Sequence, residues 1–307
     1  MGIFGGGNKP DPEAEARAEA SRQNILAGNL PLNAIARLKE QASRQGTPAH
    51  FFSSDLSVNE LALTHECGFD PLGQVMGSCV FSVGWQYYPS TSNWFSYSGE
   101  LDVLSASQMD ARSRAFKRLR DEAKLLKADG VVGVRFVRRE GTLETGLLEF
   151  IAIGTAVRRR GAPPLAPGAE PFVSNLSGQD HWMLRKDGFK PVGFAFGNCS
   201  WFQYPDWRSQ SAMMSWSNAE VTSLSQGMYT AREIAMDRME REARADGAEG
   251  VVGMQIDTHH EIMESSNNQP GGFIIHFTAW GTAIGREDYH SDVEGIEPVV
   301  SLRDSDS

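Results

Sequence analysis

One stretch of this chain occurs twice, 120 residues apart. The first copy begins at Ala111 and reads ARSRAFKRLRDEAKLLKADGVVGV, and the second begins at Ala231 and reads AREIAMDRMEREARADGAEGVVGM. The correspondence extends upstream, where FDPLGQVMGSC from Phe69 matches FKPVGFAFGNC from Phe189. Downstream, a GTAV run in the first copy matches a GTAI run 127 residues later. Such a repeat, with one helical and several β-rich segments, predicts two copies of one small α+β domain.

The repeat and the composition around it divide the chain into five parts. We expect a helical extension over residues 1–55, domains over 56–160 and 180–286, a Pro/Gly-rich linker over 161–179 and an acidic tail over 287–307. Each domain should contain a strand, an amphipathic helix and a β-hairpin, in that order. If the hairpin is symmetric, its two glycines, Gly133 and Gly154, should lie near one another across the strands.

The helix of the first repeat is the clearest element. Its apolar residues recur at spacings of 7, 3, 4 and 3, which describe one helical face: Met109, Phe116, Leu119, Ala123 and Leu126. Burial of the Phe116 side chain should contribute about 1.5–3 kcal/mol, so this face is expected to form core. Ser107 is a candidate start of the helix, and Gly130 is expected to supply a left-handed C-terminal cap.

Charge and cysteine content limit the classes of function. The chain carries 29 Lys+Arg against 39 Asp+Glu, a net charge of −10, which disfavours binding to nucleic acid. Three cysteines are too few for a disulfide framework and indicate a reducing compartment. No apolar run approaches the roughly 20 residues that span a bilayer. We therefore expect a cytoplasmic protein without membrane insertion.

The repeated motif resembles a known family. The ordered combination of Ala-Arg-x-x-Ala, Gly-Val-Val-Gly and a strand ending in Gly-Thr-Ala-Val is similar to the YbjQ family, whose domains are also labelled heavy-metal-binding. The resemblance covers about residues 68–158 and 188–285. It implies a dodecin-like β-α-β-β subunit, with one helix on an antiparallel sheet, of a kind that assembles into pentameric rings. It implies no established activity.

The strands themselves also indicate assembly. The runs Val131–Val137 and Leu147–Ile153 place apolar residues on both sides of the predicted hairpin. Strands that are buried on both faces need two covers, and one helix per repeat supplies one. The other repeat and neighbouring subunits are the available covers. We expect a homo-oligomer.

The family label directs attention to metal ligands. His65 and Cys67 would share one side of a locally extended segment, and Cys79, which matches Cys199 in the second repeat, is a candidate third ligand. A stable soft-metal site needs about four ligands, usually in CxxC or HxxxH spacing, and this sequence has neither pattern. Burial in the core is therefore the competing interpretation for Cys79 and Cys199. No cofactor is expected, and a metal ion is the alternative.

Two adjacent histidines offer a second metal hypothesis. His259 and His260 lie on a predicted strand and should face opposite ways, so one of them could join His276 or His181.

Aromatic residues cluster in two predicted loops, one over residues 85–99 and its counterpart over residues 201–218. The candidates for binding are Trp85, Tyr87, Trp94, Trp201, Trp207 and Trp216. They could stack against a planar ligand or form part of a protein interface, and aromatic residues are typical of interfaces.

Motifs of known enzyme classes are missing. The chain has no GxGxxG opening a helix, no P-loop, no GxSxG elbow and no HExxH. Glu122 and Glu242 recur beside Arg118 and Arg238, four residues apart, which predicts an ion pair on the helix surface or a buried charge at a subunit junction. The sequence therefore favours a non-enzymatic, ring-forming structural or adaptor protein that recognises a protein partner through its N-terminal helices and aromatic loops. Binding of a small ligand or a heavy metal at repeat or subunit junctions is the alternative.

Overall fold

The computed structural model describes residues 12–83, 98–140, 147–264 and 270–286. The helices of these residues are α1 (Pro12–Leu26), α2 (Leu32–Ser43), α3 (Val58–Glu66), α4 (Asp102–Leu125), α5 (Gly178–Lys186), α6 (Trp207–Met213) and α7 (Thr222–Ala245). The strands are β1 (Phe69–Ser82), β2 (Gly99–Glu100), β3 (Gly130–Glu140), β4 (Leu147–Arg159), β5 (Phe172–Val173), β6 (Phe189–Gln203), β7 (Gly250–Glu264) and β8 (Pro270–Arg286).

Each repeat folds in the order β-α-β-β, and its three long strands form the body of one sheet, to which a two-residue strand from outside the repeat is added. The first sheet has the strand order β1-β4-β3-β5, and the second has the order β2-β6-β8-β7. The three long strands of each sheet are antiparallel, with the last strand of the repeat in the middle. A mixed α+β fold with two tandem domains is therefore confirmed.

A glycine brings each long helix close to its sheet. A Cβ atom at Gly77 in β1 would lie 1.8 Å from the carbonyl oxygen of Ala115 in α4. At the matching position in β6, a Cβ atom at Gly197 would lie 1.9 Å from the carbonyl oxygen of Ala235 in α7. The two backbones therefore touch, and the small side chains on this face of each helix are buried.

A β-bulge interrupts the hairpin of each repeat. The pairing register shifts between Val132 and Arg135, where Gly133 adopts a φ of +61°. Gly154 lies opposite this bulge, and a Cβ atom there would come 2.7 Å from Val131. The second repeat has the same shift, with Gly253 at a φ of +60°. The expected proximity of the two glycines is confirmed, and its physical reason is the bulge.

Two expectations about the helix ends are wrong. α4 begins at Asp102, five residues before the predicted start at Ser107. The left-handed residue after α4 is Lys127, with a φ of +59°, whereas Gly130 already begins β3. In the second repeat the matching left-handed residue is Gly247, with a φ of +74°.

The second aromatic loop is shorter than predicted. β6 continues to Gln203, so Trp201 belongs to a strand, and α6 begins at Trp207 inside the predicted loop. Asp206 caps that helix, because its side chain accepts a hydrogen bond from the backbone N–H of Ser209. The candidates Trp85, Tyr87 and Trp94 lie outside the described residues.

We expect Gly77→Ala to lower the free energy of unfolding by about 1–3 kcal/mol, because the new methyl group must push α4 away from β1. Ser78→Ala is the matched control, since it changes the next residue of the strand, whose side chain points to the other face. Urea unfolding of the two variants measures the difference. Equal unfolding midpoints for Gly77→Ala and the wild type would contradict this account of the helix–sheet contact.

Candidate functional site

The joint between the two repeats covers the face of the second sheet that is turned away from α7. Phe194 and Phe196 in β6 and Trp280 in β8 are buried there. From the first repeat, Phe116 lies 4.6 Å from Phe194 between ring centroids, and Phe136 lies 5.6 Å from Phe196 and 5.2 Å from Trp280. The first repeat thus supplies the cover that the second sheet needs.

Arg112 is the charged centre of this joint. Its guanidinium lies 5.0 Å from the ring centroids of both Phe116 and Phe196. It donates to the carbonyl oxygen of Phe194 at 3.0 Å and forms an ion pair with Glu242 of α7 at 2.7 Å. Burial lowers the pKa of Arg112, and the carboxylate of Glu242 opposes this shift. The ion pair therefore connects the helices of the two repeats, with Arg112 buried and Glu242 partly exposed.

Buried polar groups fix the alignment of α4 on the second sheet. The side-chain amide of Asn198 donates to the Ser105 carbonyl at 3.0 Å and to Gln108 Oε1 at 2.8 Å. Ser200 hydrogen-bonds His276 Nδ1 at 3.0 Å, and its backbone N–H donates to Ser105 Oγ at 3.0 Å. A shift of the helix would break several of these bonds at once, so they specify one register.

The linker between the repeats binds both bulges. In the first repeat, the backbone N–H of Gly133 donates to the Leu176 carbonyl at 3.1 Å. In the second, Asn175 donates to the Gly253 carbonyl at 2.7 Å, and Ser174 hydrogen-bonds Thr282 at 3.1 Å. The linker is therefore a structural part of the joint.

The same segment exists before the first repeat, and the sequence analysis missed it. FSSDLS from Phe52 matches FVSNLS from Phe172, again 120 residues later. Ser54 hydrogen-bonds Thr155 at 3.0 Å, as Ser174 bonds Thr282. The detectable signal was four identities in six residues at the known offset.

The recurring Glu and Arg of each helix bind the first long strand of their own repeat. Glu122 accepts a hydrogen bond from the backbone N–H of Met76 at 2.8 Å, and Arg118 donates to the Ser78 carbonyl at 2.6 Å. Glu242 and Arg238 do the same for Phe196 and Asn198 in the second repeat, at 3.1 and 2.8 Å. These side chains occupy backbone groups that another strand could otherwise pair with.

The predicted ligand set His65, Cys67 and Cys79 is not brought together. Cys67 packs beside Phe69 at the start of β1, whereas Cys79 lies ten residues farther along the same strand, about 33 Å away. His65 Nδ1 lies 3.5 Å from Asp70 and 3.1 Å from Arg160. Strand length separates residues that the sequence places only twelve positions apart.

The matching cysteines Cys79 and Cys199 are buried thiols in different core clusters. Burial raises the pKa of Cys79, and Arg118 and Arg114 oppose this shift. Burial, together with the nearby Glu100 carboxylate, raises the pKa of Cys199 to about 12. Both residues favour the neutral thiol, and metal coordination requires the thiolate.

A different group of metal-ligand types does converge. One nitrogen each of His259 and His276 and one carboxylate oxygen of Glu261 lie within 4.8 Å of one another. His259 therefore lies beside His276, which is one of the pairings that the sequence analysis predicted for the two adjacent histidines. His181 is elsewhere, packed against Phe69 at 5.4 Å, and burial lowers its pKa to about 4.

The geometry of this group does not fit a resident metal. Arg138 donates to His259 Nδ1 at 2.8 Å, so the neutral ring carries its proton on Nε2 and offers no lone pair there. The rings of His259 and His276 stack at 4.5 Å with an angle of 18° between their planes. A metal ion prefers the plane of each imidazole ring, and two stacked rings do not share one plane. The group extends the polar network of the joint.

The described aromatic candidates are dispersed. The indole N–H of Trp201 donates to Gln203 Oε1 at 3.0 Å, and this ring packs on the α7 side of the sheet. Trp207 is 71% exposed and Trp216 is fully exposed. Within the described residues, no ring stacking joins the three indoles. They form no common pocket for a planar ligand.

Comparison with known proteins identifies the domains. A family model described as "Putative heavy-metal-binding" (YbjQ) matches residues 69–160 and 209–287. The chain belongs to the YbjQ family. No solved structure matches the chain.

Curated relatives divide into two groups. The chain is 42% identical over 237 residues to a protein of Mycobacterium tuberculosis named "Encapsulin nanocompartment protein Rv1762c", with 76% of this chain and 86% of the relative covered. It is 44% identical over 62 residues to a UPF0145 protein of Archaeoglobus fulgidus, and 42% identical over 60 residues to one of Enterococcus faecalis. These two matches each cover 20% of this chain and 56% of the relative. No helix in the described part of the chain has the length and apolarity needed to cross a membrane.

Arg112→Met should lower the free energy of unfolding by about 3 kcal/mol, because it leaves the Glu242 carboxylate without its close cation. The estimate is at the low end for a buried pair, since the Glu242 side chain is 29% exposed. Arg241→Met is the control, an arginine of α7 in an exposed pair, and should change stability by less than about 0.5 kcal/mol. Urea unfolding that gives the same small effect for both variants would show that Arg112 does not stabilise the joint.

The native protein at pH 8 should react slowly with a thiol reagent such as DTNB. A pKa of about 12 for Cys199, against an ordinary value of 9.0, reduces its thiolate fraction roughly a thousandfold. In denaturant, all three cysteines should react at the rate of a free thiol. Rapid reaction of Cys199 in the native state, located by mass spectrometry of peptides, would contradict this assignment and restore it as a metal-ligand candidate.

Proposed function

We propose that this protein is a non-enzymatic structural protein that assembles with copies of itself. One observation carries the proposal: the outer face of the first sheet exposes an apolar strip to solvent, although the matching face of the second sheet is buried. Met76 and Val80 of β1 are 46% and 62% exposed. An exposed apolar sheet face in a folded protein marks an interaction surface.

The relatives support this class of function. The M. tuberculosis protein that shares 42% identity is named an encapsulin nanocompartment protein. We propose that the present chain serves the same kind of assembly. Its domains would take up a dodecin-like arrangement, with a pentameric ring as the expected form. The boundaries 56–160 and 180–286 remain our division of the chain into assembling domains.

Recognition of a protein partner is the second part of the proposal. Helix α1 exposes most of its residues, including Leu26 at its end. Trp207 and Trp216 also present large apolar side chains to solvent. Aromatic side chains are enriched in the centres of protein interfaces. α1 and this aromatic segment are therefore the surfaces we assign to a partner other than the chain itself.

Metal binding is the alternative function, and the proximity of His259, Glu261 and His276 is the observation that favours it. The contact between Arg138 and His259 Nδ1 counts against it, because a metal at Nε2 would have to displace a proton. The predicted ligands His65, Cys67, Cys79 and Cys199 add no support, since they lie apart or are buried as thiols.

Native mass spectrometry of protein purified without chelator tests both functions. We expect an oligomer with a mass of several times 33.7 kDa, because the apolar faces need a cover. We expect no excess mass per chain. A monomer at micromolar concentration would contradict the proposed function. A stoichiometric excess that a chelator removes would favour metal binding instead.

A further inference from the structure

The first repeat exposes the positions that the joint buries in the second. At an offset of 120, Met76 takes the place of Phe196, and Val80 takes the place of Ser200. Phe196 and Ser200 are completely buried, whereas Met76 and Val80 are about half exposed. We call this surface the acceptor face; it consists of Met76, Val80, Val137, Ile151 and Ile153.

The second repeat exposes the opposite half of the same contact. The residues that match Arg112, Phe116 and Phe136 are Arg232, Met236 and Ile256. Ile256 is 47% exposed, and Met254, which matches buried Val134, is 44% exposed. We call this surface the donor face; it consists of Arg232, Met236, Met254 and Ile256.

The edge strand of the second sheet gives independent evidence for the same contact, because a strand pairing and a filled space found in the first repeat are missing from its described residues. In the first repeat, β5 pairs in parallel with Gly130 and Val131 of β3. The Phe172 ring then fills the space at Gly130, where a Cβ atom would lie 2.2 Å from it. In the described part of the second sheet, β7 is the last strand, and the nearest atom to a Cβ at Gly250 is in Ile284 at 4.0 Å.

The chain contains a segment that would fit this edge. Phe52 precedes Phe172 by 120 residues, and the segment FSSDLS repeats FVSNLS. Its Ser54 already holds the Thr155 side chain of its own sheet, as Ser174 holds Thr282. Phe172 and Val173 also pair with the preceding repeat. Among the described residues, Phe52 and Ser53 have no matching strand partner.

We propose that the joint between the repeats recurs between copies of the chain. Phe52 and Ser53 of one copy pair in parallel with Gly250 and Val251 of another, and the acceptor face of the first copy packs on the donor face of the second. The proposal rests on the proposed self-assembly and names its surface. Because two different faces meet, the contact is head to tail and leaves each copy able to bind a further one.

Charge supports this pairing. Arg232 of one copy would approach Glu122 of the next as Arg112 approaches Glu242. Glu122 is buried. In the part of the chain that the structure describes, the cation that pairs with it is Arg37, which lies 3.6 Å away and has a side chain that is 59% exposed. Burial accordingly raises the pKa of Glu122, while the Met76 N–H and Arg37 oppose the shift. A second arginine would give Glu122 the close partner that Glu242 has.

A cysteine pair tests the contact directly. Val131 and Val173 are register partners in the parallel ladder, so Val251 and Ser53 should be partners between copies. Strand spacing of about 4.8 Å places their Cα atoms within disulfide range. We expect Ser53→Cys mixed with Val251→Cys to form a covalent dimer under oxidation, visible on a non-reducing gel. Neither variant alone should do so, because the native cysteines are buried.

Three results would overturn the proposal or its basis. No cross-link, in a protein whose native mass shows an oligomer, would overturn this contact and leave the proposed function standing. A dimer of Ser53→Cys alone would indicate a symmetric interface and also overturn it. A monomeric wild type would contradict the proposed function and the contact together.

Two substitutions on the second repeat give a quantitative check. Arg232→Glu places a second negative charge against Glu122, and Gly250→Leu fills the space assigned to Phe52. Each should weaken assembly about tenfold or more, while the dissociated chain, studied at high dilution, should unfold thermally as the wild type does. Arg241→Glu, on the same helix but outside the donor face, is the control and should assemble as the wild type does. Wild-type assembly of both test variants would overturn the proposal.

Discussion

The fold depends on one constraint: a three-stranded sheet with one helix leaves a face that another unit must cover. In the second repeat, Phe116 and Phe136 of the first repeat supply that cover, and Arg112 joins the two helices through Glu242. Burying aromatic side chains of this size removes a large apolar surface from water. The linker, the bulges and the buried polar network all serve to hold this contact in one register.

The bulges show how the backbone serves the joint. At Gly133 and Gly253 the left-handed conformation interrupts normal strand pairing and turns backbone groups towards the linker. Gly133 then donates to Leu176, and Asn175 reaches the carbonyl of Gly253. A regular ladder would leave these groups paired within the hairpin and the linker without a binding site. The glycine that forms the bulge in each hairpin is therefore also the residue whose backbone binds the linker between the two domains.

Sequence alone was sufficient to predict the repeat, the order of its elements and the proximity of its paired glycines, because these depend on local pattern and a constant offset. The joint could not be read in the same way. Alternation shows that a strand has two apolar faces, but not which neighbour covers each face, since that depends on the path of a linker with little pattern of its own. The predicted set of metal ligands was wrong for a related reason. Cys67 and Cys79 are close in sequence, yet an extended strand holds them about 33 Å apart.

The two repeats differ in the side chains on the outer faces of their sheets, and the difference agrees with one face being covered within the chain and the other between chains. The face covered within the chain carries Phe194, Phe196 and Trp280, which would be costly to expose at any stage of the protein's life. The matching positions of the first repeat are Gln74, Met76 and Ile153, which are smaller or more polar. A chain must remain soluble before it meets a copy of itself, so a contact between chains tolerates less exposed aromatic surface than one that forms on folding. The same architecture can thus support a permanent joint inside the chain and a reversible one between chains.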